Sequence, residues 1–185
     1  QWLGSAANSK EWRDIQIGIE GPAAAAQQTG FVQNWMAATG EIVAGPRYFP
    51  STQAVGRVAV QTIFSSPATG AGAVGTMYLV AVQSAKRSLF IANSYFIPDS
   101  RVIEMMAEAC RRGVIVKLLV AGKHNDTWWA RQNSVRRYGD LLRAGVEILE
   151  FQPSMLHQKI MIVDGIWATV GTANFDNRSF ALNEE

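Results

Sequence analysis

Residues 155–185 read MLHQKIMIVDGIWATVGTANFDNRSFALNEE, and the pattern of this stretch decides the fold. Ile160 to Val163 is an apolar run, Asp164-Gly165 is a strong hairpin-turn dipeptide, and Ile166 to Val170 is a β-rich return. A β-hairpin is predicted. Side chains alternate along a strand, so His157 and Lys159 fall on one face while Gln158 and Ile160 fall on the other. An imidazole with an ordinary pKa of about 6.5 serves as nucleophile or general acid at neutral pH. An ammonium beside it stabilises oxygens that gain negative charge in a phosphoryl transition state. Gly171-Thr172-Ala173-Asn174 then brings backbone N–H groups and the Asn174 amide towards an anion, and Ser179 follows five residues later. The donors suit phosphate and include no metal-ligand pattern.

Working outward, the chain of 185 residues has 48% hydrophobic residues, enough for a buried core in one domain or one and a half. Its 17 Lys and Arg stand against 15 Asp and Glu, a net charge of +2. That balance argues against nucleic acid, which calls for a basic stripe. The one cysteine, Cys110, excludes an internal disulfide, and its apolar helical setting predicts a core position. With two histidines, His124 and His157, a protein zinc site is not expected, and neither is a cofactor. No run of about 18 apolar residues occurs, so no membrane span is expected within the chain. The start at Gln1 and the patterned segment at Glu185 predict a piece of a longer protein.

In chain order, 1–10 reads as a loop and Trp12 to Glu20 alternates as a strand. Pro22 opens a helix to about Thr39, with Phe31, Trp35 and Ala38 as its expected buried stripe and Gly40 as its stop. Residues 41–56 form a connector. Strand Arg57 to Phe64 follows, then a loop over 65–75 whose glycines match no phosphate-binding fingerprint, and a helix over 74–85. Ser88 to Asn93 is a strand, Ser100 to Arg112 a helix capped by Asp99 or Ser100 and closed by Gly113, and Val114 to Val120 an uninterrupted apolar strand of the kind buried on both faces. A helix over 127–144 and a strand over 146–151 complete the alternation, which predicts βαβ units with ligand-binding loops gathered at one sheet edge. Trp128-Trp129 has two readings: a membrane-interface anchor, or one indole packed under the helix with the other on the surface.

His157-Gln-Lys159, Asp164, Gly171-Thr172-Ala173-Asn174 and Arg178-Ser179 together resemble the HxKx4D signature of the phospholipase D superfamily. Ser94-Tyr95-Phe96-Ile97-Pro98-Asp99, the 123–126 loop, Leu141 to Gly145, residues 180–185, and Trp12-Arg13-Asp14 with Glu20-Gly21-Pro22 extend the likeness to the C-terminal half of bacterial cardiolipin synthases. The resemblance implies an α/β fold, a phospholipase D-like half: a mixed, mainly parallel sheet flanked by helices, with a C-terminal hairpin carrying the motif. It implies that 1–47 is the tail of a first half and 48–185 the second half. His157, Lys159 and Asp164 become the catalytic motif, although the turn position of Asp164 also fits structural hydrogen bonding. Asn174 and Ser179 become phosphate contacts, His157 the general acid and base, Asp14 the residue that orients it, and Glu185 the residue that orients the histidine of the other half. Gln16 and Glu184 depart from the family pattern.

The activity implied is metal-independent transfer of a phosphatidyl group from phosphatidylglycerol through a covalent histidine to a second lipid, making cardiolipin. The implied partners are a phospholipid substrate, a membrane surface and the missing first half, in a bacterial cell membrane reached through an anchor outside this chain. Two rivals stand beside it: a phospholipase D-type phosphodiesterase or nuclease, and an inactive lipid-binding or dimerising module.

Overall fold

The computed structural model describes residues 5–67 and 72–185. The loops expected over 1–10 and 65–75 fall partly outside these residues. The elements, in order, are β1 (Trp12–Arg13), α1 (Pro22–Thr39), α2 (Ala73–Ser84), β2 (Ser88–Asn93), β3 (Phe96–Ile97), α3 (Ser100–Arg111), β4 (Ile115–Ala121), α4 (Trp128–Arg143), β5 (Glu147–Phe151), β6 (Met155–Leu156), β7 (Lys159–Val163), β8 (Trp167–Val170), β9 (Phe175–Asp176) and α5 (Asn177–Ala181). The chain divides into two compact units, residues 16–64 and the remainder.

In the larger unit a five-stranded mixed sheet runs in the order β5-β4-β2-β7-β8. The pairs β2–β4 and β4–β5 are parallel, joined through α3 and α4, while β2–β7 and β7–β8 are antiparallel. This is the βαβ alternation with the hairpin added at its end. Asp99 starts α3 by accepting the Val102 N–H at 2.9 Å, a cap of the kind that contributes about 1 kcal/mol. Leu89, Ile91, Val116, Leu118, Val120 and Met161 are buried on one sheet face together with Tyr78 and Val82 of α2 and Met106 of α3. The opposite face is less covered. In β4, expected to be buried on both sides, Ile115 is 57% exposed, and buried residues alternate with half-buried ones as far as Val120, where Ala121 is buried too.

The hairpin turn has φ of 56° at Asp164 and 72° at Gly165, the left-handed pair that a tight hairpin turn requires. Val163 pairs with Trp167, so Ile166 drops out of the ladder and is 84% exposed. His157 lies in the break between β6 and β7, ahead of the hairpin rather than within its first strand. Two short parallel pairs, β1–β6 and β3–β9, sit outside the main sheet.

Several expectations are corrected. The strand expected over Trp12 to Glu20 is only Trp12–Arg13, because β6 offers a partner for two residues. Cys110 is half-buried, the core position being taken by Ala109. In the smaller unit, α1 forms as expected, but Phe31 and Trp35 are exposed and stack on each other at 6.0 Å. Its buried positions are Gly30 and Val32. A Cβ at Gly30 would lie 2.2 Å from the Phe64 ring, so the absence of a side chain there lets the ring approach the helix. Arg57 to Phe64 forms no strand, and Val58 is 84% exposed.

Candidate active site

The topology brings four chain segments to one sheet edge. The carboxyl ends of parallel β2 and β4 lie there, and so does the amino end of antiparallel β7, since Lys159 pairs with Asn93. The carboxyl end of β8 arrives beside it, with the Gly171 N–H donating to the Lys159 carbonyl at 3.3 Å. This edge is where open α/β sheets gather functional loops.

His157 is held by β1. Its backbone N–H donates to the Arg13 carbonyl at 2.8 Å, and its ring lies 5.0 Å from the Trp12 ring. Nδ1 stands 3.0 Å from Asp14 Oδ2, both side chains being about a quarter exposed. The other Asp14 oxygen accepts the Ile15 N–H at 2.9 Å, which limits rotation of the carboxylate. A proton on Nδ1 directed at Asp14 leaves the Nε2 lone pair available.

Lys159 is 4% exposed. Its ammonium donates to Ser94 Oγ at 3.1 Å and to the His157 carbonyl at 2.7 Å, and lies 2.9 Å from Nε2 and 3.1 Å from Nδ1 of His157. Burial pushes its pKa down to about 8, while the carboxylates of Asp14, Glu185 and Asp126 act in the opposite direction. The two side chains meet as expected, although His157 lies outside β7.

The Asn174 N–H donates to Ser179 Oγ at 3.1 Å, and the Ser179 N–H is capped by Asp176 at 2.8 Å. The fully buried Ser179 hydroxyl thus braces the Asn174 loop from within. The side-chain oxygen Asn174 Oδ1 is buried without a hydrogen-bond partner, an arrangement that proteins seldom tolerate without a use. Glu185 accepts from Thr172 Oγ1 at 2.6 Å and from Asn183 Nδ2 at 3.1 Å, and its backbone pairs with Ser65.

Asp164 is not brought to His157. It lies at the far end of β7, where its carboxylate accepts the backbone N–H groups of Lys86, Arg87 and Ser88 at 3.0, 2.7 and 2.9 Å. The Ser88 and Arg87 donors hold its pKa below the usual carboxylate value. The residue is tied to the start of β2.

Two site residues escaped the sequence reading. Ser94, which follows the buried end of β2, is the hydroxyl acceptor of Lys159. Tyr95 donates to the Asp126 carboxylate and sits 3.3 Å from Thr127 Oγ1; burial first, then Asp126, raises its pKa to about 12. Both belong to the Ser94–Asp99 stretch that carries the family likeness and both follow a buried strand, signals that gave them no role by themselves. Among the described residues no cluster of three or more His, Cys, Asp or Glu side chains is placed to hold a metal ion.

Residues 78–185 match the family described as cardiolipin synthase, phospholipase D-like domain. The chain belongs to that family. Within this cardiolipin synthase-like family, it is 33% identical over 187 residues to a cardiolipin synthase of Listeria welshimeri, covering 100% of this chain and 39% of that protein. It is 38% identical over 176 residues to one from Geobacillus thermodenitrificans, covering 94% and 35%. The chain thus spans well under half the length of these bacterial relatives. A solved structure of Nuc, a phospholipase D family member from Salmonella typhimurium, shares the fold at a TM-score of 0.51 and 23% identity, over 61% of this chain and 72% of that one.

Proposed function

We propose that the complete protein is a phosphatidyltransferase that makes cardiolipin from phosphatidylglycerol, and that this chain supplies one half of its active site. Residues 1–47 are read as the tail of a first phospholipase D-like half and 48–185 as the second. The observation that carries the reading is the connected set Asp14–His157–Lys159–Ser94 at one sheet edge.

In the first step the histidine of the other half attacks phosphorus; a P–N bond forms, the P–O bond to glycerol breaks, and His157, protonated on Nε2, gives its proton to the departing oxygen. In the second step the hydroxyl of another phosphatidylglycerol loses its proton to His157 and attacks phosphorus, and the P–N bond breaks. Asp14 holds Nδ1 and steadies the imidazolium. The Lys159 ammonium, now on Nε2, turns to the non-bridging phosphate oxygens, with Asn174 as a further contact and Ser179 as its brace. Glu185 is assigned to the histidine of the other half, and Asp164 to anchoring the motif strand. The protein is assigned to a bacterial cell membrane through an anchor outside this chain; no helix of the described residues is long and apolar enough to cross a membrane.

The test uses the full-length protein with labelled phosphatidylglycerol. Cardiolipin with released glycerol is expected, and its loss in His157→Ala. Phosphatidic acid instead would make water the acceptor and the protein a hydrolase; normal cardiolipin formation by His157→Ala would sink the assignment.

A further inference from the structure

The outer face of α4 takes no part in the site, yet its composition is unusual for a solvated helix. Positions seven apart on an α-helix drift by only about 20°, so residues 128, 135 and 142 form one ridge, and 129, 136 and 143 form a second about 100° round the helix. The first ridge is Trp128, Val135 and Leu142, exposed by 58%, 40% and 56%. The second is Trp129, 72% exposed, followed by Arg136 and Arg143, both exposed. The two indoles meet edge to face at 4.5 Å, so neither packs under the helix. Arg143 has Asp140 beside it, whereas Arg136 has no ion pair among the described residues.

An apolar ridge and a basic one bordering a single broad face, with the tryptophans at one end, is the composition of a helix that lies in a bilayer interface. A solvated face has no use for four large apolar side chains, Trp128, Trp129, Val135 and Leu142, two of them indoles. Arg136 chooses among surfaces: an apolar protein partner would leave it unpaired, whereas an anionic leaflet attracts such a charge by about 1 kcal/mol. Orientation agrees. The tryptophans open the helix directly after Asp126 and Thr127, which Tyr95 ties to the carboxyl end of β2, so they lie on the side of the molecule that carries the site.

We propose that this face of α4 docks the protein on an anionic phospholipid surface, with Trp128 and Trp129 as apolar anchors and Arg136 and Arg143 as contacts to headgroup phosphates. The 16-residue helix lies flat, about 24 Å long, and sets the mouth of the site at headgroup depth. A substrate phosphodiester then reaches His157 without its acyl chains leaving the bilayer. The proposal deepens the phosphatidyl-transfer reading but its test needs no turnover.

The chain is mixed with vesicles of phosphatidylcholine alone or with about 30 mol% phosphatidylglycerol, and partition is measured by co-sedimentation and by quenching of tryptophan with brominated lipid. Partition onto the anionic vesicles is expected, falling about tenfold in Trp128→Ala/Trp129→Ala and about fivefold in Arg136→Gln, with thermal midpoints unchanged because these side chains are exposed. Equal partition of the wild type and the double variant overturns the proposal, as does equal binding to neutral and anionic vesicles. So does a dimer that the double variant dissociates in sedimentation velocity, which would give the face to a second copy. Docking by this face in a full-length protein that turns over no phospholipid would support the proposal and sink the transfer reading alone.

Discussion

Asp14 Oδ2 lies 3.0 Å from His157 Nδ1 although the two residues are 143 positions apart in the chain. The approach depends on β1 pairing with β6 in parallel, Arg13 opposite Leu156, which delivers the residue after each strand to the same place. A carboxylate in this position selects the imidazole tautomer and stabilises its charged form. Asp14→Asn keeps the shape and removes the charge. In the full-length protein it is expected to lower kcat by about 10²-fold or more with little change in KM, a split that mere loss of folding would not produce. An unchanged kcat would remove Asp14 from the site.

The buried Lys159 ammonium gives a pH dependence with a definite sign. Its folded pKa of about 8 is below its ordinary 10.5, so the folded state binds the proton less well. Burial therefore costs stability in full below pH 8, on the order of 3 kcal/mol, and the cost is relieved as pH rises from 8 towards 10.5. Lys159→Met should be more stable than wild type below pH 8 in urea unfolding, the gap closing above it, while activity is lost at every pH. Wild-type activity should fall as pH rises through about 8, as the ammonium loses its charge.

Asp164 separates a folding role from a chemical one. Asp164→Ala loses the acceptor for three backbone N–H groups and places alanine at a φ of 56°, so its thermal midpoint should drop more than that of Asp164→Asn, since asparagine tolerates that backbone. Both should retain kcat well below their melting points. The depressed carboxyl pKa adds stability that is present above pH 3.8 and lost as pH falls below it. A large fall in kcat in a well-folded Asp164→Asn would return the residue to the chemistry.

Phe175, fully buried against Tyr78, Phe96 and Phe180, holds the loop that carries Asn174. Phe175→Ala is expected to cost about 3–5 kcal/mol in unfolding experiments and, at temperatures where the chain remains folded, to raise KM through loss of Asn174 position. Equal stability would mean that the cavity collapses without consequence.

Much of this was legible in the residues. The 88–93 strand, the helices starting at 22, 100 and about 128, and the Asp164-Gly165 turn are local matters of period, cap and backbone sign, and each formed near its expected bounds. The failures share a cause. Trp12 to Glu20 and Arg57 to Phe64 have strand patterns, but a strand exists only where a neighbour supplies hydrogen bonds, and β6 supplies two residues to the first and none to the second. The Phe31 and Trp35 stripe failed because a helix face is buried by what lies against it, and Gly30 receives the Phe64 ring.

By itself the sequence determined the alternation of elements, the His157 and Lys159 pair, and the small-residue loop before Asn174, because those follow from spacing along one strand and turn. Only the tertiary structure decided that Asp14 reaches Nδ1, that Ser94 accepts from Lys159, and that Asp164 spends its oxygens on Lys86 to Ser88. Those contacts join segments remote in the chain, and their distances depend on strand register and sheet order, which local pattern does not encode.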